Sequence, residues 1–377
     1  MQYIHDQKSF QKDSITANAK RYQFPVAGAV EYFLWDLELT CQLQKYEPNL
    51  ILKGGAAVQL HLPIDYQRGS IDIDIVSPQK KTGIAEMLSS MQANLDAVRF
   101  SEFKPKHPKE NLNMITYHAF AKSALRKRNL RVEIDFLMEN IDLPTVEVDK
   151  VPTFATTSEK IRCYTPDVLI GDKILTLARG SIGSQKIDDY PKQIYDLSML
   201  ISSSKCTNFA EVIQAVRVLT KIEAQIFRVQ VTPDRAIEDV IGFIDDDLAT
   251  LDLPNANSEI RKSIESFEAY YSPRKHTATR EGWSTRSLKI RFVAELVKSV
   301  LVGNETSDDA LRNLSRASEA AARLATLEGE KIRETRRQLF TFAQEKLPRE
   351  LEGSSLERVF WEVARPENID KLTSVPS

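Results

Sequence analysis

Two aspartates one residue apart, Asp72 and Asp74, lie within an otherwise apolar stretch of the chain. Because side chains alternate between the two faces of a strand, both carboxylates would share one face and the neighbouring isoleucines the other. Mg²⁺ is a hard cation that proteins usually hold with one or two carboxylates and the oxygens of a bound phosphate. The pair therefore suits a divalent ion, Mg²⁺ or Mn²⁺, bound to a nucleoside triphosphate. The same spacing also occurs on exposed strands whose polar face is only solvated.

Two glycines, Gly54 and Gly55, separate a strand-like segment (49–53) from a helix-like segment (56–61). Glycine lets the backbone approach a phosphate closely, and the N-terminus of the following helix favours negative charge. A glycine pair at such a turn is also found for packing alone. It is the glycine turn together with the acidic strand that indicates triphosphate binding.

A second alternating segment, residues 130–137, offers a third carboxylate. Its apolar residues fall on one face, while Arg131, Glu133 and Asp135 fall on the other. We expect it to pair antiparallel with residues 113–121. If it also lies beside the Asp72 strand, Asp135 or Glu133 joins the acid pair, and three carboxylates could hold the two ions of an in-line displacement. A half-exposed strand with a polar outer face is the plain alternative.

Two charged residues interrupt apolar helical patterns further along the chain. Lys173 lies on the apolar stripe of a helix predicted over residues 166–179, and Asp196 lies within a helix predicted over 191–201. The lysine either snorkels to the helix edge or binds a phosphate as a point charge. The aspartate either pairs with a neighbour or acts as a base.

Composition limits the class of protein. With 377 residues, 42% hydrophobic and 28% charged, the chain has room for two or three ordinary globular domains. A net charge of −2 argues against a generally basic coat for nucleic acid but not against a local basic groove. The three cysteines are too scattered to indicate a zinc site or a disulfide framework. No membrane span or signal peptide is recognisable, so we expect a cytoplasmic protein.

Four separated blocks between residues 50 and 200 resemble the AbiEii/MenT group of nucleotidyltransferase toxins, within the DNA polymerase β-like nucleotidyltransferase superfamily. They comprise residues 52–56 with 68–74, then 133–136, 172–180 and 192–197. The chain departs from the pattern twice. Gly55 stands where the wider superfamily has serine, and Gln193 stands where the family often has an acid.

The resemblance implies transfer of a nucleotidyl group from a nucleoside triphosphate, with Mg²⁺ or Mn²⁺ as cofactor. It implies that the catalytic residues are Asp72, Asp74, Lys173 and Asp196. It implies that the nucleotide is bound by Gly54, Gly55, Arg68, Ser70 and Lys173. The metal would be held by Asp72 and Asp74, with Asp135 as the third carboxylate. Lys173 would contact phosphate, and Asp196 would act as a base or a positioning carboxylate.

The resemblance also suggests an acceptor such as tRNA, growth arrest in abortive infection or phage defence, and a separately encoded antitoxin. A basic cluster next to the Asp135 strand, Arg126, Lys127, Arg128 and Arg131, is our predicted RNA-binding site. Two other hypotheses stay open. The acceptor could be a small molecule or a protein hydroxyl, or the chain could be a non-catalytic nucleotide-binding protein.

We therefore expect an α+β fold, with a small mixed sheet, flanking helices and a largely helical C-terminal region. The expected domains are a nucleotidyltransferase-like domain (1–160), a helical domain completing the active site (161–255) and a helical extension (256–377). Lys173 and Asp196 would approach the carboxylates across a groove between sheet and helices. Repeats and catalytic motifs are not recognisable in the charged helical tail, residues 308–364.

Overall fold

The computed structural model describes residues 3–95, 98–104, 113–149, 159–342 and 349–374. Two compact units are distinguished by their internal contacts. Unit 1 comprises Met1–Leu169 and Glu265–Thr277, and unit 2 comprises Ile170–Ile264 and Ala278–Ser377. The three domains expected from the sequence stay a prediction.

A mixed sheet of seven strands forms the centre of unit 1 within the described residues, in the order β3-β4-β5-β2-β1-β7-β6. The strands are β1 (Ile51–Lys53), β2 (Asp72–Val76), β3 (Val98–Glu102), β4 (Met114–Ala121), β5 (Leu130–Leu137), β6 (Thr145–Val148) and β7 (Ile161–Tyr164). The predicted antiparallel pairing of β4 with β5 is confirmed. Strand β2 lies between β5, to which it is parallel, and β1, to which it is antiparallel.

The helices of unit 1 cover the sheet and build its core. They are α1 (Lys12–Arg21), α2 (Ala27–Tyr46), α3 (Gly54–His61) and α4 (Lys81–Asn94). Helix α2 packs against β2, β5 and β7. Its long apolar sequence is buried almost throughout, as expected for a helix enclosed by the core rather than laid on its surface. Ile73 and Ile134, on the apolar faces of β2 and β5, are fully buried.

Unit 2 is helical in its described residues. Two of the three unit boundaries fall within α5 (Pro166–Leu175) and α9 (Ser258–Tyr270), and the third precedes α10 (Arg280–Leu301). The central helix of unit 2 is α10, which contacts α6, α8, α11 and α13. The remaining helices are α6 (Tyr190–Ser202), α7 (Phe209–Phe227), α8 (Pro233–Phe243), α11 (Ser307–Leu324), α12 (Glu330–Thr341), α13 (Leu356–Val363) and α14 (Ile369–Leu372). The mixed sheet, flanking helices and helical C-terminal region confirm the expected fold class.

Helix α5 ends four residues earlier than the sequence pattern indicates. After Leu175 the chain folds into tight turns, in which Ser181 and Gly183 both donate backbone hydrogen bonds to the carbonyl of Ala178. These two hydrogen bonds close a compact loop in place of a further helical turn. The apolar periodicity of the sequence does not show where the helix ends. None of the helices in the described ranges combines the length and apolar character needed to cross a membrane.

Candidate active site

The register of β2 and β5 brings the predicted carboxylates of unit 1 to one face of the sheet. Asp74 lies opposite Asp135, and Asp72 lies opposite Glu133. All four are partly exposed, whereas the isoleucines between them are buried. The expectation that β5 lies beside the Asp72 strand is thus confirmed. We call Asp72, Asp74 and Asp135 the acid cluster.

Asp135 carries the clearest electrostatic mark of this arrangement. Burial, and after it the nearby charge of Asp74, raise the pKa of its carboxyl to about 7. The hydroxyl of Thr116 donates a hydrogen bond to Asp135 and partly opposes the increase. A carboxyl with this pKa is present in both its protonated and its charged form near neutral pH. A bound cation would lower the pKa and favour the charged form.

The glycine turn fits against the acid cluster with no space for a side chain. Gly54 opens α3 with φ +69°, a conformation that favours glycine. A Cβ atom there would lie 1.8 Å from Oδ2 of Asp74. At Gly55, a Cβ atom would lie 2.7 Å from Nη2 of Arg68. The backbone of this turn therefore runs directly beside the Asp74 carboxylate, as an approach to a phosphate would require.

Arg68 and Ser70, predicted to contact nucleotide, are almost fully buried, each with 3% of its surface exposed. Nη1 of Arg68 donates to the carbonyl of Gly69 at 2.7 Å, and its backbone N–H donates to Gln59 at 2.8 Å. The hydroxyl of Ser70 donates to the carbonyl of Asp72 at 3.4 Å. Both residues thus hold the segment that leads into β2, and their contact with a nucleotide stays a prediction.

Asp36 of α2 is a further acid near this site, and the sequence reasoning missed it. Its side chain is fully buried. Burial raises its pKa well above the ordinary value, and the charge of Asp72 acts in the same direction, while Ser70 and Arg68 oppose the increase. The available signal is an acid within the long apolar run that forms α2.

Lys173 and Asp196 form a buried ion pair in unit 2. Nζ of Lys173 lies 3.6 Å from Oδ2 of Asp196, and the two side chains are 5% and 0% exposed. Nζ also donates to Oε1 of Gln193 at 2.8 Å. Helices α5 and α6 therefore bring together the two predicted residues of this unit. The position at which the chain departs from the family pattern, Gln193, supplies a neutral partner for the lysine.

The predicted RNA-binding residues lie on the connection between β4 and β5 and on β5 itself. Arg126, Lys127 and Arg128 are exposed on that connection. Arg131 is exposed at a position of β5 that alternation places on the same face as Asp135. The carboxylates belong to unit 1 and the Lys173–Asp196 pair to unit 2, and the expected groove between them stays a prediction.

The acid cluster suits a cation in its chemistry, since it offers only oxygen ligands, which Mg²⁺ prefers. Within the described ranges, no group of three or more His, Cys, Asp or Glu side chains is arranged to hold a metal ion. A Mg²⁺ site that uses one or two carboxylates and completes its shell with substrate phosphates requires no such group. Asp72 and Asp74 fit that kind of site.

The sequence matches the family model described as "Nucleotidyl transferase AbiEii toxin, Type IV TA system" over residues 39–270. The chain belongs to the AbiEii nucleotidyltransferase toxin family. Its match includes all four blocks on which the resemblance was based, together with the acid cluster and the Lys173–Asp196 pair. This AbiEii toxin is therefore a nucleotidyltransferase, and Asp36 lies just outside the matched residues.

Solved structures and curated proteins add little to this assignment. The AbiEii toxin is similar to JHP933 from Helicobacter pylori (13% identity, TM-score 0.40, 76% of this chain and 98% of that one). It is also similar to MenT4, a nucleotidyltransferase toxin from Mycobacterium tuberculosis (13% identity, TM-score 0.38, 76% of this chain and 98% of that one). Likenesses of this size support no argument about the site. No curated protein matches the sequence significantly.

Proposed function

We propose that this AbiEii toxin transfers a nucleoside monophosphate from a nucleoside triphosphate to tRNA, in a reaction that depends on Mg²⁺ or Mn²⁺. The observation that carries the proposal is the parallel register of β2 and β5 beside the Gly54 turn. It combines a carboxylate pair, a third acid and a stretch of backbone that runs close beside Asp74. This is the set of groups that a triphosphate with its cation requires.

In this proposal Asp72 and Asp74 hold the cation, and Asp135 contributes negative charge beside them. The cation, when bound, neutralises the triphosphate and stabilises the attacking and leaving oxygens of an in-line displacement. The backbone N–H groups that follow Gly54 and Gly55 at the start of α3 bind the phosphates, with the favourable end of the helix dipole behind them. Gly55 offers no hydroxyl, so these amides do all of the binding at the turn.

Lys173 supplies a positive charge for phosphate in this proposal, and Asp196 orients it. The 3.6 Å separation from Lys173 and the complete burial of Asp196 favour a positioning role over proton abstraction, because its carboxylate faces the ammonium group and is shielded from solvent. Gln193 fixes the ammonium group from a second direction without adding a negative charge. A neutral side chain there leaves more of the lysine's charge available to a phosphate.

The exposed basic residues on the β4–β5 connection support an RNA acceptor, since arginine and lysine contacts to phosphate bind nucleic acid without reading its sequence. Modification of tRNA would stop its charging or its use, and growth would arrest. We propose that this arrest serves phage defence by abortive infection in the cytoplasm. A separately encoded antitoxin would restrain it.

The proposal is tested with each of the four nucleoside triphosphates carrying an α-phosphate label, together with Mg²⁺ and total bacterial tRNA. We compare the wild type with Asp72→Ala and with Glu147→Ala. Glu147 is a matched control because it is a carboxylate of the same unit that is 62% exposed on β6. Circular dichroism and thermal unfolding establish that all three proteins are folded.

We expect label on RNA with the wild type and with Glu147→Ala, and none with Asp72→Ala. The labelled nucleotide would also identify the preferred substrate. Label that appears on a protein or a small molecule without RNA would contradict the tRNA acceptor. Binding of nucleotide without transfer to any acceptor would contradict catalysis of this reaction and favour a binding role.

A further inference from the structure

Three carboxylates are buried on helix α2, and they differ in how the fold satisfies them. Glu31, Asp36 and Glu38 are 1%, 0% and 0% exposed. Burying an ionisable group is costly unless hydrogen bonds or an opposite charge compensate it. A comparison within one helix therefore shows which acid the fold uses for its own stability and which it does not.

Two of the three are satisfied by structural partners. Glu31 accepts hydrogen bonds from the hydroxyl of Ser123 at 2.9 Å and from the backbone N–H of Ala124 at 2.5 Å. Glu38 bonds with the ring and the backbone N–H of His5, at 2.7 and 3.0 Å, and with the amide of Gln42 at 2.8 Å. Each of these acids holds a distant segment of the chain against α2.

Asp36 has no such role. Neither of its carboxylate oxygens has a hydrogen-bond partner of good geometry in the described part of the chain. Ser70 and Arg68 act to lower its pKa, but burial and the charge of Asp72 keep that pKa well above the ordinary value. A polar group left in this state costs about 1–3 kcal/mol, and more when it is charged. The fold keeps this cost at a position where an apolar residue would remove it.

The surroundings of Asp36 show what would compensate it. Its strongest electrostatic neighbour is Asp72, and Asp74 is also within range. The segment that leads to these acids packs tightly on α2, since a Cβ atom at Gly69 would lie 2.8 Å from Cβ of Ala29. Asp36 therefore lies close enough to the acid pair to interact with it, and a cation bound there would favour the charged form of Asp36.

We propose that Asp36 is a positioning residue for the divalent cation, whose buried charge strengthens cation binding by Asp72 and Asp74. The inference rests on the proposed function only in placing a cation at that pair. A hard divalent cation would add positive charge to the partial compensation that Ser70 and Arg68 give Asp36. Groups behind the direct ligands of a metal commonly change its affinity by about 10- to 100-fold when removed.

The test is the substitution Asp36→Asn, which keeps the shape and removes the charge. Affinity for Mn²⁺ or Mg²⁺ alone is measured by titration calorimetry without nucleotide, and thermal unfolding is followed with and without the ion. We expect affinity to fall by about tenfold or more, and the ion to raise the midpoint of unfolding less than in the wild type. Without the ion, Asp36→Asn should unfold at the same temperature as the wild type or higher.

Glu38→Gln is the matched control, because it changes a buried carboxylate of the same helix that the fold does satisfy. It should lower the midpoint of unfolding without the ion and leave cation affinity unchanged. If Asp36→Asn behaves like Glu38→Gln, Asp36 is an ordinary structural residue and the inference is wrong. If Asp36→Asn does not fold, Asp36→Ser provides the same comparison with a smaller uncharged group.

Failure of the inference can be distinguished from failure of the proposed function by including Asp72→Ala. Cation binding that depends on Asp72 but not on Asp36 overturns only the role of Asp36. Cation binding that depends on neither residue overturns this role and the proposed cation site together. Cation binding that depends on both residues supports the inference, even when no label reaches RNA.

Discussion

The Lys173–Asp196 pair of unit 2 and the acid cluster of unit 1 in this AbiEii toxin differ in how their charges are compensated. In unit 2, the ammonium of Lys173 lies 3.6 Å from Asp196 and also donates to Gln193, so its charge is compensated. In unit 1, Asp135 lies beside Asp74, whose charge helps to raise the pKa of Asp135. The first arrangement is compensated within the chain, whereas in the proposed function the second is compensated by a bound cation.

This difference separates two kinds of functional residue. A compensated pair holds its geometry before any substrate arrives, so it can position a charge. In an acid cluster the carboxylates repel one another, and a bound cation relieves this repulsion. The cluster therefore favours the state with cation and triphosphate bound over the empty site. Mutations in the two units should therefore change stability in opposite directions.

The largest effect is expected for Asp74→Asn. Loss of one carboxylate of the acid cluster should reduce nucleotide transfer by about 10²–10³-fold, the usual cost of removing one group that stabilises charge in a transition state. The free energy of unfolding without divalent ions should stay equal or increase, because a like charge has been removed. Labelled transfer and urea unfolding in the presence of a chelator measure the two quantities.

Glu147→Gln should change neither quantity, because Glu147 is an exposed acid of β6 away from this pairing. A loss of folding with Asp74→Asn would break the comparison, since it would mean that the carboxylate stabilises unit 1 by itself.

The acid cluster itself was predictable from sequence. The alternation of Asp72 and Asp74 with isoleucines, and of Glu133 and Asp135 with apolar residues, fixes which face each occupies. A period of two residues is a strong signal, because a slip by one residue would bury the acids. The side-by-side pairing of the two strands followed as an expectation, and the register confirmed it.

The next largest effect concerns unit 2. Asp196→Ala should lower the free energy of unfolding by about 3–5 kcal/mol, because it leaves the buried ammonium of Lys173 without its counter-charge. The double variant Lys173→Met with Asp196→Leu should recover much of this loss, since neither charge remains. Urea unfolding of Lys173→Met alone, Asp196→Leu alone and the double variant measures the coupling.

Transfer should be lost in all three of these variants, including the stable double one. Additive losses in the double variant would show that the two residues do not act as a pair, and would contradict the comparison.

A smaller effect is expected at the glycine turn, where the limiting factor is the lack of space beside Asp74 and not its charge. Gly54→Ala puts a side chain at φ +69° and a Cβ atom at 1.8 Å from Asp74, so it should cost about 2–4 kcal/mol and displace that carboxylate. Thermal unfolding and labelled transfer should both decrease.

Gly242→Ala is the control. Gly242 lies within α8, and a Cβ atom there would meet no atom within 4 Å. This substitution should be neutral or stabilise by up to about 1 kcal/mol. Equal effects of the two substitutions would show that the turn does not need glycine.

The features that could not be predicted from the sequence depend mainly on tertiary contacts. Strands β6 and β7 have four residues each, too few for a period to be read. The periodicity of α2 does not single out Asp36, because the helix is buried on nearly all sides and has no polar face with which to compare it. The role of a buried acid depends on its partners. Those of Glu31, Asp36 and Glu38 come from other segments of the chain, which the sequence pattern of α2 does not reveal.

The smallest effect is expected for a second lysine of unit 2, which extends the comparison to positive charges. Lys289 of α10 lines a cavity of about 310 Å³ in unit 2, and its Nζ lies 3.0 Å from the hydroxyl of Ser202. Burial lowers the pKa of Lys289 to about 8, with the charge of Glu357 acting against the change. Lys173, by contrast, lies 3.6 Å from the carboxylate of Asp196.

Because the folded pKa of Lys289 lies below the unfolded value of 10.5, the unfolded chain binds more protons between these pH values. The free energy of unfolding of the wild type should therefore rise, relative to Lys289→Met, by about 1–2 kcal/mol between pH 8 and pH 10. Below pH 8 the difference should be constant. Lys160→Met, which removes a lysine that is 58% exposed, should show no such slope. A flat difference for Lys289→Met as well would mean that this lysine is hydrated or paired in the fold, as Lys173 is paired.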